Sequence, residues 1–203
     1  MRSGMRRGEW VKRLLDLVIA GGALFLSLPF WLAISAAILL SDGWPVLYRQ
    51  PRVGWRGRVF QAYKFRSMVK DAERRTGAVL AQEDDPRITP VGRLLRKTAL
   101  DEIPQLLNIF KGDMSWVGPR PERPEFVRQF VSEIPRYGLR HQVRPGLTGV
   151  AQVYGRYHTD PVDKLAYDLY YLEHRSLALD LRLFVRSWLI TLKGRWDSVA
   201  ASR

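Results

Sequence analysis

Between Leu17 and Leu40 the charged positions disappear, leaving the apolar run LVIAGGALFLSLPFWLAISAAILL. At about 1.5 Å rise per residue this run is roughly 36 Å of helix, enough to cross a hydrocarbon core. A soluble core helix rarely stays apolar for so long. A cleaved leader fits the basic start, but its apolar stretch is about 7–15 residues and no small-residue cleavage site follows here. Basic residues stand on both flanks: Arg2, Arg6, Arg7, Lys12 and Arg13 before, Arg49, Arg52, Arg56, Arg58, Lys64 and Arg66 after. The positive-inside rule then puts both ends on the cytoplasmic side. A helix that enters, bends and returns satisfies this. Ser27 and Pro29 mark the expected break, where proline removes a backbone N–H and a serine hydroxyl can engage a freed carbonyl. A kinked helix that spans fully is the alternative.

Asp42-Gly43-Trp44-Pro45 ends that helix, which divides the chain into a membrane element over 1–42 and a more polar domain over 43–203. VLYRQPRVGWRGRVFQAYKFRSM predicts two strands joined by a turn at Gly54–Gly57. VKDAERRTG predicts a short polar helix ending at Gly77, AQEDDPRITPVG a loop, and RLLRKTA another short helix. In RPEFVRQFVSEIPRYG the helical period puts Phe126, Val127, Phe130, Val131 and Ile134 on one face. DPVDKLAYDLYYLEH predicts a helix capped by Asp160 with Pro161 at its first position. The final apolar and basic run, LALDLRLFVRSWLITLKGRW, suits a helix at a lipid interface or one packed on the core.

Charge and composition narrow the chemistry. The 203 residues carry a net charge of +13, which implies a polyanionic partner or a negative surface. There are no cysteines, so disulfides, thiolate metal sites and cysteine nucleophiles are excluded. His141, His158 and His174 lack the spacing of a zinc helix, which leaves a hard cation on carboxylates and phosphate as the metal to expect.

Against that basic background the acidic pair Asp101-Glu102 in LDEIPQLLNIF stands out. Pro104 is tolerated only in a first turn, so the helix is expected to begin near Asp101, with Leu106, Leu107 and Phe110 as its buried stripe. That place suits an N-cap. It equally suits a carboxylate nucleophile kept ionised by the helix end. Two adjacent carboxylates can share a divalent cation, and Arg96 and Arg120 can clamp phosphate oxygens or simply be solvated. Prolines on either side of Arg120 in VGPRP restrict its backbone and favour the clamp.

Three blocks, YRQPRVGWRGRVFQAYKFRSM, LDEIPQLLNIFKGDMSWVGPRP and RHQVRPGLTGVAQVYGR, resemble in order the signature segments of the bacterial sugar transferases. These are the monotopic phosphoglycosyl transferases that begin assembly of membrane-linked glycans. The resemblance implies an α+β fold, mostly helical. It would have a re-entrant helix–break–helix, a small β-hairpin and amphipathic interfacial helices around one catalytic domain. It implies Mg2+-dependent transfer of a sugar-1-phosphate from a UDP-sugar to polyprenol (undecaprenyl) phosphate, with release of UMP. By the same resemblance Asp101 is the nucleophile, Glu102 its partner, and both border the metal. Arg96, Arg120 and Lys64 face substrate phosphate. The implied location is the cytoplasmic face of the bacterial inner membrane, on anionic lipid, with a homodimer compatible. Val150 and Tyr154 depart from the tryptophan and asparagine common in the family, which puts any borrowed sugar preference in doubt. Larger members carry a further membrane region and a nucleotide-binding-like domain, so a short form or catalytic unit is expected. The rival readings are a membrane-anchored basic scaffold without catalysis and a nucleic-acid-binding protein. The second lacks any helix-turn-helix, zinc-finger or ribonucleoprotein motif.

Overall fold

The computed structural model describes residues 7–73, 77, 85–155 and 160–192. The apolar run forms helix α1, Arg7–Asp42, whose 36 residues stay helical through Pro29. A single missing N–H does not end a helix whose neighbouring bonds persist, and Ser27 Oγ donates to the Leu24 carbonyl at 2.9 Å. The expected interruption at Ser27 and Pro29 is therefore no gap in the helix. Gly43 closes it in the left-handed region (φ 71°), with its N–H on the Leu39 carbonyl.

Strands β1 (Leu47–Val53) and β2 (Val59–Phe65) form the predicted antiparallel hairpin, with Tyr48 opposite Lys64 and a 3₁₀ turn at Trp55–Gly57. Pro51 is allowed in β1 because its outer edge has no partner strand among the described residues. The polar helix expected from VKDAERRTG is not what the chain adopts where it is described. Residues 70–73 turn, with Asp71 at φ 56°, and residues 74–76 lie outside the described set. Residues 81–84 of the expected loop also lie outside it.

Helix α2 spans Pro90–Lys97 and starts three residues before the RLLRKTA segment, because Thr89 caps it by accepting from the Gly92 N–H. A Cβ at Gly92 would stand 1.9 Å from the Ser67 carbonyl oxygen, so only glycine lets α2 lie against the end of β2. A 3₁₀ turn at Leu100–Glu102 leads into α3, Gln105–Lys111. Strand β3 (Ser115–Val117) pairs in parallel with β4 (Gly146–Thr148), a contact the sequence pattern did not suggest. It lays VGPRP beside RPGLTG at a spacing that a Cβ on Gly118 or Gly146 would forbid.

Helix α4 (Pro124–Glu133) buries Val127 and half-buries Phe130, but Val131 faces outward, so the apolar face is narrower than the pattern implied. Short α5 (Val150–Tyr154) precedes α6 (Pro161–His174), which is capped by Asp160 as expected. Helix α7 (Leu177–Leu192) packs on the core through one face, one of the two expectations for it. Leu183 is buried against β3 and α5, while Leu177, Leu181, Val185, Trp188 and Leu189 are exposed. The architecture is mostly helical, with a small hairpin and one long apolar N-terminal helix.

That helix also packs against the rest of the chain. Ala20 packs with Leu106, Ile109 and Met114, and further along Ile34 and Ile38 pack with Val46, Phe65 and Leu95. Trp31 meets Phe65 edge-on, with ring centroids 5.1 Å apart. Burying Phe65 alone is worth about 1.5–3 kcal/mol, and it anchors the strand end next to Lys64.

Candidate active site

The turn carrying the acidic pair differs from the expected helix start. Pro104 has no N–H to reach the Leu100 carbonyl, so Ile103 bonds it instead and the segment tightens to 3₁₀ geometry. Ala99, at φ 55°, swings the chain out of α2. Neither Ala99 nor Pro104, the residues before the two helical segments, gives a side-chain cap. Asp101 is consequently not an N-cap, and the ordinary explanation for a carboxylate at this position is removed.

What surrounds Asp101 is cationic side chains. Lys64 Nζ, reaching from β2, donates to Glu102 Oε1 at 2.6 Å and stands 3.8 Å from Asp101 Oδ2. Arg120, from the VGPRP segment, grips Glu102 through Nη2 at 2.5 Å and Nη1 at 3.4 Å. Arg96, on α2, donates through Nε to Ser67 Oγ at 2.9 Å and adds its field to Asp101. The five predicted polar residues thus converge from four separated segments. Ser27 and Pro29, on α1, take no part in the cluster.

The two carboxylates are held unequally. Both Glu102 oxygens are hydrogen-bonded, whereas Asp101, only 6% exposed, accepts no hydrogen bond among the described residues. Burial pushes the Asp101 carboxyl up, with Glu102 adding to the rise and Lys64, Arg96 and Arg120 opposing it. Burial acts on Glu102 too, but Arg120 and Lys64 outweigh it and hold that carboxyl well below the usual range. Glu102 in turn raises Arg120. The result is a Glu102 tied to two cations, beside a carboxylate that accepts no hydrogen bond among the described residues. A cluster of three or more metal-ligating side chains does not occur among the described residues. Two carboxylates remain a fitting donor set for magnesium, which commonly takes one or two and completes its shell with water and substrate phosphate.

Other contributors had no sequence signal. Arg140 is buried, donates to the Arg120 carbonyl at 2.8 Å and pairs with Asp168 of α6 at 2.8 Å. Arg52 donates to the Pro121 carbonyl at 2.9 Å, so the backbone on both sides of the Arg120–Pro121 bond is pinned. Asn108, fully buried, bonds the backbone of β2. A small recess beside Arg120 is lined by Pro119, Pro121, Arg140, His141 and Pro145.

The sequence that builds this arrangement has relatives. A family model for bacterial sugar transferases matches residues 7–194. A UDP-N-acetylgalactosamine-undecaprenyl-phosphate N-acetylgalactosaminephosphotransferase from Aeromonas hydrophila is 44% identical over 188 residues, 91% of this chain and 44% of that protein. A UDP-glucose:undecaprenyl-phosphate glucose-1-phosphate transferase from Klebsiella pneumoniae is 40% identical, covering 90% of this chain and 40% of its own length. One of the same name from Caulobacter vibrioides is 42% identical over 181 residues, 87% of this chain and 67% of its own. This chain therefore spans about two fifths of the length of the first two. With nearly all of its residues matched, the chain belongs to the bacterial sugar transferase family.

Proposed function

We propose that the protein moves a sugar-1-phosphate from a UDP-sugar to polyprenol phosphate, releasing UMP, by way of a phosphosugar carried on Asp101. The observation behind this is the inequality of the pair: a buried carboxylate free of hydrogen bonds, flanked by a locked glutamate and three cations. An Asp101 oxygen attacks the phosphorus nearer the sugar, and the bond to the bridging oxygen breaks. UMP leaves with that electron pair. An oxygen of the lipid phosphate then attacks the same phosphorus, the bond to Asp101 breaks, and the carboxylate is restored with a polyprenyl diphosphate sugar as product. Arg120, half-exposed, and Arg96 meet the phosphate oxygens, while Lys64 opposes the pull of burial on the Asp101 carboxyl. Asp101 and Glu102 would hold Mg2+, which when bound offsets charge on the diphosphate. The relatives named above act on different sugars, so the donor's sugar stays open.

The site belongs at a membrane surface. By length and composition α1 could cross a bilayer. Its two ends, however, bind the same body: Lys12 pairs with Asp180 at 2.6 Å and Asp42 with Arg66 at 3.0 Å. Between Leu24 and Trp31, which both pack on that body, six residues remain, about 9 Å of helix against a hydrocarbon core of about 30 Å. There Phe25, Leu26, Leu28 and Phe30 are exposed. This supports a helix that dips into one leaflet and returns, with the body on the cytoplasmic face held by anionic lipid. Cysteines introduced near residues 5 and 45 are expected to react from the same side, and opposite-side labelling would mean a spanning helix.

The decisive test is mass spectrometry of protein incubated with Mg2+ and a panel of UDP-sugars. A phosphosugar on the peptide containing Asp101 is expected, together with loss of UMP release in a folded Asp101→Asn variant. Turnover by that variant would refute the assignment.

A further inference from the structure

We infer that Asn108 is a positioning residue for the transfer, setting where the Lys64 ammonium stands relative to Asp101 and Glu102. The side chain is fully buried, and all of its strong hydrogen-bonding groups are used. Its Oδ1 accepts from the Tyr63 N–H at 3.0 Å, and its Nδ2 donates to the Gln61 carbonyl at 2.7 Å and to Asp113 Oδ2 at 3.1 Å. The amide thus behaves like one residue of a third strand, satisfying a donor and an acceptor on the open edge of β2. Hydrophobic contact alone would allow α3 to slide along that edge, because packing is non-directional. Two opposed bonds to the backbone of Gln61 and Tyr63 fix the register instead.

That register matters for chemistry because of what lies on either side of it. Lys64 follows Tyr63 directly, and α3 begins three residues after Glu102. The ammonium and the carboxylates are therefore mounted on two elements that this one amide clips together. Lys64 Nζ lies 2.6 Å from Glu102 Oε1 and 3.8 Å from Asp101 Oδ2. An ångström of slip would lengthen both contacts, and misplacement on that scale can cost about a hundredfold in rate. The Asn108 side chain hydrogen-bonds only to β2 and Asp113 among the described residues, so it acts through Lys64 and does not touch the reacting atoms.

The inference rests on the transferase reading, and the experiment separates the two. In the full-length, detergent-purified protein, the rate of Lys64 acetylation by an N-hydroxysuccinimide ester is followed by peptide mass spectrometry, alongside UMP release. Asn108→Ala is compared with Met114→Ala, which opens a cavity in the same apolar cluster but leaves the two side-chain bonds from Asn108 to the β2 backbone in place. The expected result is Lys64 acetylation several-fold faster in Asn108→Ala but not in Met114→Ala. A kcat about tenfold or more lower, with the KM for the UDP-sugar little changed, should accompany it. If Asn108→Ala does not fold, Asn108→Asp serves, since it keeps an acceptor for Tyr63 but loses the donor to Gln61. Unchanged Lys64 reactivity in the folded Asn108 variant, or equal acceleration in Met114→Ala, overturns the inference. Absence of UMP release by the wild-type protein would instead overturn the transferase reading, and the acetylation rates would still decide the role of Asn108.

Discussion

Two arginine–carboxylate clusters lie on either side of the Arg120 backbone, and they are built for opposite ends. In one, Arg120 grips Glu102 with its side chain 41% exposed; in the other, Arg140 pairs with Asp168 with both side chains 3% exposed. The sealed pair is flanked by Tyr137 and by the Arg120 carbonyl, whose oxygens accept from Arg140 Nη1 and Nη2. The open cluster leaves a neighbouring carboxylate, Asp101, without a hydrogen bond among the described residues. A sealed pair stabilises one arrangement of backbone, whereas an open one keeps charge available to a ligand. Each is an arginine facing a carboxylate, and access to solvent separates their roles.

The strongest way to break this comparison is to remove one partner from each cluster. Arg140→Ala strands a buried aspartate and should cost about 3–5 kcal/mol, enough to prevent accumulation of folded protein. Glu102→Gln should melt within a few degrees of wild type yet lose about 10²–10³-fold in UMP release, since it unties Lys64 and Arg120. Equal destabilisation by the two changes, read by thermal melting, would erase the distinction. Next in size is the double change Arg140→Met with Asp168→Leu. Replacing the buried pair by apolar volume should recover most of the stability, because desolvation offsets much of a buried pair's attraction. The Arg120 carbonyl would still lack its donor, so UMP release is expected to stay about tenfold down. Full recovery of activity would make Arg140 a packing residue only.

The smallest expected effect is on pH dependence. Burial, with Arg140 alongside, lowers His141 from 6.5 to about 4. Between those values the unfolded chain binds a proton that the folded protein does not, so this group's contribution is lost as pH falls from 6.5 towards 4. Asp168 works in the opposite sense. Burial raises it from 3.8 to about 6, so its protonated form favours folding at low pH and that advantage fades as pH rises through 6. A His141→Gln variant should therefore lose a few degrees less of melting temperature than wild type between pH 7 and 4.5. An identical acid decline in the two proteins would place the origin elsewhere.

Local pattern was a good guide where one segment decides its own conformation. The apolar run became α1, Gly43 ended it, the glycines between the strands marked the hairpin turn, and Asp160 capped α6. Lys64, Arg96, Asp101, Glu102 and Arg120 could be singled out because charged residues framed by proline, or paired in an unlike background, are conspicuous. Pattern failed at Asp101, where a proline rule fixed the wrong helix start because 3₁₀ bonding offered a second way past the missing N–H. It also gave no hint of the pairing between β3 and β4, since three-residue strands about thirty residues apart carry no periodic signal.

By itself the sequence determined that this is a basic, cysteine-free chain with a membrane-length apolar helix and an acidic pair among arginines, because charge and hydropathy are properties of residues. Only the tertiary structure decided that Glu102 is locked and Asp101 free, and that Asn108 and Arg140 hold the elements supplying their cations. Those distinctions depend on which distant groups meet and how much water they exclude. Burial and hydrogen bonding belong to the folded arrangement and to no single stretch of chain.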